Sequence, residues 1–178
     1  MNKPYSLLAI LSLLLLLACR PSIAGETLYS LCNFLGGDYV DYNYCVSTLS
    51  TNPAASTADG HTLAVISVNL TTTNATAVKS RADSLFLSST DAFIRSSLLN
   101  CSSLYAAATP DLHSSATAAA AKNYSGAAAV LADVLRVPAG CDQGFQKKEG
   151  VASPIRKENN AFSDLATLAK AVNNYMAQ

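Results

Sequence analysis

"CNFLGGDYVDYNYC", residues 32–45, puts a cysteine at each end of a stretch holding a Gly-Gly pair and three tyrosines, Tyr39, Tyr42 and Tyr44. Such thiols serve as metal ligands, as a redox pair, as a catalytic nucleophile with a bystander, or as the two halves of a staple. The compartment decides among these, and the first residues bear on it. In "MNKPYSLLAILSLLLLLACRPSIAGE", residues 1–26, Lys3 gives a positive start, residues 7–18 are apolar apart from Ser12, and Ser22-Ile23-Ala24 ends on a small residue. That is the pattern of a secretory signal peptide, residues 1–24, cleaved after Ala24. The apolar run is too short to cross about 30 Å of hydrocarbon, so the mature chain, residues 25–178, is expected to be secreted and free of the membrane.

The whole chain has 12 Lys and Arg against 12 Asp and Glu; loss of Lys3 and Arg20 with the signal leaves ten against twelve, a net charge of −2. With no basic surplus to release counterions, a nucleic-acid partner is not expected. Cys19 also leaves with the signal, so four of the 5 cysteines remain: Cys32, Cys45, Cys101 and Cys141. An even number in an oxidising compartment favours disulfides. There is no C-x-x-C pair, and the 2 histidines, His61 and His113, stand apart from the cysteines and read as exposed helix residues. No metal and no cofactor are expected. The opening stretch is therefore a staple. Four cysteines allow three connectivities; sequence order favours Cys32–Cys45 with Cys101–Cys141, and the nested pairings stay open at this point. A hydrolase would need an activated nucleophile or paired acids in a cleft. G-x-S-x-G is missing, and Asp38 and Asp41 read as hairpin surface, so no catalytic residues are expected.

Four N-x-[ST] triplets lie in the mature chain, at Asn69, Asn74, Asn100 and Asn123. In a secreted protein Asn69, Asn74 and Asn123 are glycosylation candidates. Asn100, next to Cys101, is the weakest.

Apolar residues recur at helical rather than alternating spacing. One face carries Leu63, Ile66, Leu70, Ala77 and Leu85, with a phase shift near Asn74, and Ser56 with Asp59 forms an imperfect capping box before it. A second carries Ile94, Leu98, Cys101, Tyr105, Ala108 and Leu112. A third, Tyr124, Ala128, Leu131 and Leu135, is expected to stop at Pro138-Ala139-Gly140. The last is Phe162, Leu165, Ala169, Val172 and Met176, and Leu98, Leu131, Leu165, Val172 and Met176 should line the core. Pro110 falls inside the second segment, where a kink is expected because the apolar phase persists across it. Residues 26–34 and 39–49 read as two short helices about Gly36-Gly37. The fold class is all-α: an antiparallel up-down-up-down four-helix bundle over residues 53–178, preceded by a disulfide-stapled helical hairpin over 25–52.

These elements together resemble the plant invertase and pectin methylesterase inhibitor family. Cys32, Cys45, Leu49, Pro53 and Ser56 resemble its opening cysteines, leucine, proline turn and capped helix. "LLNCSSLYAAA" matches its C-x-x-x-Y-x-x-A element at Cys101, Tyr105 and Ala108, and Tyr124, Cys141 and Phe145 follow at similar spacings. The tail "GVASPIRKENNAF" is similar to the invertase inhibitors that include plane-tree pollen allergens. The resemblance covers essentially the whole mature chain. It implies a non-catalytic protein of the apoplast or vacuole that blocks pectin methylesterase or acid invertase in a 1:1 complex, with cysteines paired first to second and third to fourth. It also implies that the second and third bundle helices and the turn between them, Ala121 to Gly126, meet the enzyme, with Lys122 and Tyr124 as contacts. Many cell-wall invertase inhibitors carry Pro-Lys-Phe in this region. Here it reads Lys122-Asn123-Tyr124, so the resemblance leaves the choice of target open. The alternative is a secreted helical carrier of an apolar ligand, which needs a cavity among its Ala-rich helices.

Overall fold

The computed structural model describes residues 24–37 and 40–178. The expected signal peptide up to Ile23, with Cys19, and the hairpin residues Asp38 and Tyr39 lie outside the described residues. The helices are α1 (Ala24–Leu35), α2 (Tyr42–Leu49), α3 (Gly60–Ser88), α4 (Ala92–Ala120), α5 (Tyr124–Val134), α6 (Arg136–Gln146) and α7 (Arg156–Met176), with a 3-10 turn at Pro53–Thr57. Among the described residues there is no strand.

The starts of α2, α3 and α4 are set by short acceptor side chains that satisfy otherwise orphaned N–H groups. Asp41 accepts from Tyr44 N, Asp59 from Thr62 N and Asp91 from Ile94 N. Asp59 thus caps α3 directly. Ser56 sits in the 3-10 turn and donates to Pro53 O, so the expected capping box does not form. α4 runs unbroken through Pro110, flanked by buried Ala108 and Leu112, with the Thr109 hydroxyl donating to Tyr105 O. The third segment departs from expectation. α5 ends at Val134, and α6 begins at Arg136, with only Leu135 between them, and passes through Pro138-Ala139-Gly140. Pro138 is the third residue of α6, in the first turn, where a missing N–H does no harm.

Contacts order the bundle. Ser102 donates to Asp83, Ser115 to Ala127 O, Ser97 to Gly144 O and Thr71 to Leu165 O. Late α3 thus meets early α4, late α4 meets early α5, and early α4 meets late α6, so neighbours run in opposite directions. Cys101 and Cys141 are bonded, tying α4 to α6. The central core holds Leu98, Tyr105, Leu112, Leu131, Phe145 and Phe162, all 1 % exposed or less. Buried alanines such as Ala82, Ala119, Ala127, Ala166 and Ala169 let the helices approach closely. Ala77 is exposed; the buried line of α3 shifts to Ala75, Val78 and Ala82. Met176 is half-buried, capping the core against Gly60, whereas Leu98, Leu131, Leu165 and Val172 are buried.

A polar knot crosses this core. The Tyr105 hydroxyl donates to Asn159 Oδ1 at 2.7 Å, and Asn159 Nδ2 donates to Asp142 Oδ1 and Pro138 O. Asn159 is fully buried, and its three bonds join α4, α6 and α7. Burial first, then the charge of Asp142, pushes the Tyr105 phenol well above its usual range. It therefore stays a neutral donor.

The hairpin packs on one end of the bundle. Cys32 is bonded to Cys45 across α1 and α2. Leu28, Leu31, Leu35 and Leu49 join Leu63, Leu168 and Val172 in a second buried cluster. Helices this short are marginal alone. Each such leucine contributes on the order of 1.5–3 kcal/mol when buried, which holds the hairpin in place.

Candidate functional site: the turn between α4 and α5

α4 ends in the alanine-rich stretch Ala116–Ala121, interrupted only by Thr117, which has helix propensity but no stop signal of its own. The stop is made by backbone. Lys122 N donates to Ala119 O at 2.9 Å and Asn123 N to Ala118 O at 2.8 Å, a Schellman pair that satisfies the last carbonyls. The residue at the centre of such a closure must take a left-handed conformation, and glycine usually does so. Here it is Lys122, with φ 62°, the one non-glycine with positive φ among the described residues. A lysine there costs on the order of 1 kcal/mol relative to glycine. It leaves the Lys122 side chain exposed in the turn.

Asn123 closes one helix and opens the next, its Oδ1 accepting from Gly126 N at 3.1 Å. A Cβ on Gly126 would lie 2.5 Å from Asn123 Nδ2, so the cap requires glycine there. Tyr124 is half-buried. Its ring packs against the hairpin-side cluster while its hydroxyl lies 3.0 Å from His61 Nδ1. His61 is therefore not a plain exposed helix residue: it is half-buried and anchors Tyr124 to the start of α3. His113 is exposed.

Asp59, the α3 cap, stands beside this group. Hydrogen bonds from Thr62, followed by the nearby charges of His61 and Lys122, hold its carboxyl below the usual range. Asp83 is lowered by hydrogen bonds from Lys79 and Ser102, and Asp91 by the N–H of Ile94. A depressed folded pKa stabilises the fold above the unfolded value of about 3.9 and is lost as pH falls through the folded value. Thermal unfolding followed by circular dichroism should therefore show no loss of midpoint from these three caps and bridges between about pH 7 and pH 5, with the fall setting in below about pH 4. A decline already complete by pH 5 would assign acid sensitivity to other groups.

Lys122, Asn123 and Tyr124 thus form one surface with His61 and Asp59. The disulfide Cys101–Cys141 lies elsewhere: Ala120 is nineteen positions beyond Cys101, about 28 Å along α4. Of the sequon residues, Asn69 is exposed and Asn74 half-buried on α3, and Asn123 is the cap just described. Among the described residues no three His, Cys, Asp or Glu side chains gather to hold a metal, and no helix is long and apolar enough to cross a membrane. The Schellman lysine and the His61–Tyr124 contact are not visible in the sequence; the second joins residues 63 apart.

The family model described as "Plant invertase/pectin methylesterase inhibitor" matches residues 26–172. The chain is 29 % identical over 133 residues to a "Putative invertase inhibitor" of Platanus acerifolia, covering 75 % of this chain and 74 % of the relative. It matches a protein of the same name from Platanus orientalis at the same identity and length, covering 78 % of that relative. Two crystal structures of a pectin methylesterase inhibitor from Arabidopsis share the fold. The mutant form A has TM-score 0.69 at 17 % identity, with 80 % of this chain and 95 % of that one covered. The other has TM-score 0.62 at 16 % identity, with 86 % and 97 % covered. A family match that spans both disulfides, the polar knot and the Lys122 turn means that the chain belongs to the plant invertase/pectin methylesterase inhibitor family.

Proposed function

We propose that the mature chain, residues 25–178, is a secreted, non-catalytic inhibitor that covers the active-site cleft of pectin methylesterase or acid invertase in a one-to-one complex. The family is one of extracellular inhibitors and not of catalysts, which supports both the location and the lack of a reaction. The observation that carries the reading is the Lys122 turn. A position that would be more stable as glycine holds a lysine, and strain of this kind collects at functional sites. Lys122 has no ion-pair partner within 4 Å among the described residues, so its charge is free to meet an acidic cleft. Tyr124 adds a rigid ring whose hydroxyl is already held in place.

Titration of the purified protein against both enzyme classes, at mildly acidic and neutral pH, tests this. The expected result is that one of them is fully blocked at equimolar protein, while the chain itself hydrolyses neither model esters nor glycosides. Unaltered rates for both enzymes at tenfold excess would overturn the proposal.

A further inference from the structure

Four sequons are open to an oligosaccharyltransferase in a chain that enters the secretory route, and the fold treats them differently. Asn100 is exposed, and its Nδ2 leans over α6, 3.5 Å from Gly140 O and 3.4 Å from where a Cβ on Gly144 would stand. A sugar on that nitrogen would crowd α6 beside the Cys101–Cys141 bond and cost the Gly140 contact. Asn123 is committed to the α5 cap, its amide packed over Gly126. Asn69 is exposed on α3.

Asn74 is different. Its Oδ1 is buried and has no hydrogen-bond partner, an unusual state for a buried carbonyl. The Asn74 side chain borders a groove of about 370 Å³ between α2, α3 and α7, lined by Tyr44, Thr48, Thr51, Leu70, Thr73 and Ala161 among others. Ala77, which the apolar periodicity places in the core, is instead exposed at this groove. The lining combines the Tyr44 ring and aliphatic side chains with threonine hydroxyls. That matches a pyranose, whose C–H faces are apolar and whose edges are hydroxylated, and the volume is at the lower end for small-ligand sites.

We propose that Asn74 is the glycosylated residue and that its first N-acetylglucosamine lies in this groove against Tyr44. The covalent step is the ordinary one of the secretory pathway: Nδ2 displaces the lipid pyrophosphate of the donor oligosaccharide, forming the Nδ2–C1 bond and losing one proton. The proposal rests on passage through that pathway and not on the enzyme target, so its test is independent of inhibition.

The chain is expressed behind a heterologous secretion leader, so that glycosylation does not depend on residues 1–24 acting as a signal. Peptide-N-glycosidase A in ¹⁸O-labelled water then marks each occupied asparagine as labelled aspartate. Label at Asn74, with none at Asn100, is expected; a bare Asn74 beside label at Asn69, Asn100 or Asn123 overturns the assignment. For the groove, protein trimmed to a single N-acetylglucosamine is compared with secreted Thr76→Ala, which keeps Asn74 but loses the sequon. Hydroxyl-radical oxidation of Tyr44 should be several-fold slower in the sugar-bearing form. Equal oxidation would place the sugar in solvent and refute the groove.

Discussion

Replacing both Cys101 and Cys141 by alanine is expected to lower unfolding free energy by about 4 kcal/mol, the larger of the two disulfide effects. The bond closes a loop with sequence separation 40, against 13 for Cys32–Cys45, and chain entropy in the unfolded state rises with loop length. The same reasoning gives about 3 kcal/mol for the hairpin pair. Position widens the gap. Cys101–Cys141 fastens α6, an 11-residue helix without a side-chain N-cap bond, to the middle of the core. Once it is cut, α6 is held by Ser97 to Gly144 O, by the Asn159 bonds and by Phe145 in its pocket. The hairpin bond lies at one end, so its loss should fray α1 and α2 while leaving the long helices folded. Denaturant unfolding of the two double variants, with helicity read at the same time, checks both statements. A smaller loss for Cys101/Cys141 than for Cys32/Cys45 would mean that α6 is held chiefly by packing and that loop entropy does not rank the two bonds.

The long helices are legible in the sequence because their ends carry chemistry that acts locally. Asp59 and Asp91 stand where α3 and α4 begin, and the 3.6-residue stripes lead into the core. Where reading fails, the deciding contact is made by backbone or comes from far along the chain. The α5–α6 break has no Gly, Asn or Pro at its hinge; Leu135, in ordinary right-handed geometry, turns the chain, and the visible proline lies inside the next helix. The α3 stripe slips by one residue, Val78 for Ala77, because an alanine's apolarity says little about which face it occupies. Asn159 looks like a surface residue in Lys157-Glu158-Asn159-Asn160, yet it is fully buried because Tyr105, 54 residues away, needs an acceptor. At the candidate site, Lys122 and Tyr124 stand out by resemblance alone. The left-handed turn that projects one and the histidine that fixes the other become visible only in three dimensions.

That geometry sets the expectation for Lys122→Glu combined with Tyr124→Ala: inhibition of the target enzyme should weaken by two orders of magnitude or more, with the fold intact. Two losses contribute. Reversing the charge at Lys122 replaces attraction by repulsion toward an acidic cleft, where close charge pairs carry large coupling energies. Removing the Tyr124 ring deletes an aromatic contact of the kind that dominates interface energies. Tyr124 is also half-buried and hydrogen-bonded to His61, so alanine removes packing as well as any contact with the enzyme. Single variants separate these roles. Lys122→Glu alters no packing, since its side chain is exposed, and Lys122→Gly relieves the positive φ while deleting the charge. A binding role for the ammonium predicts that Lys122→Gly raises the thermal midpoint yet weakens inhibition, opposite signs that a purely structural lysine does not produce. Tyr124→Phe keeps the ring and loses the His61 bond; if the ring itself meets the enzyme, it should retain most of the inhibition that Tyr124→Ala loses. Inhibition constants for the set, with circular dichroism as the folding control, decide the matter. Full inhibition by the double variant would remove this turn from the interface and leave the exposed faces of α4 and α5 as the surface that meets the enzyme.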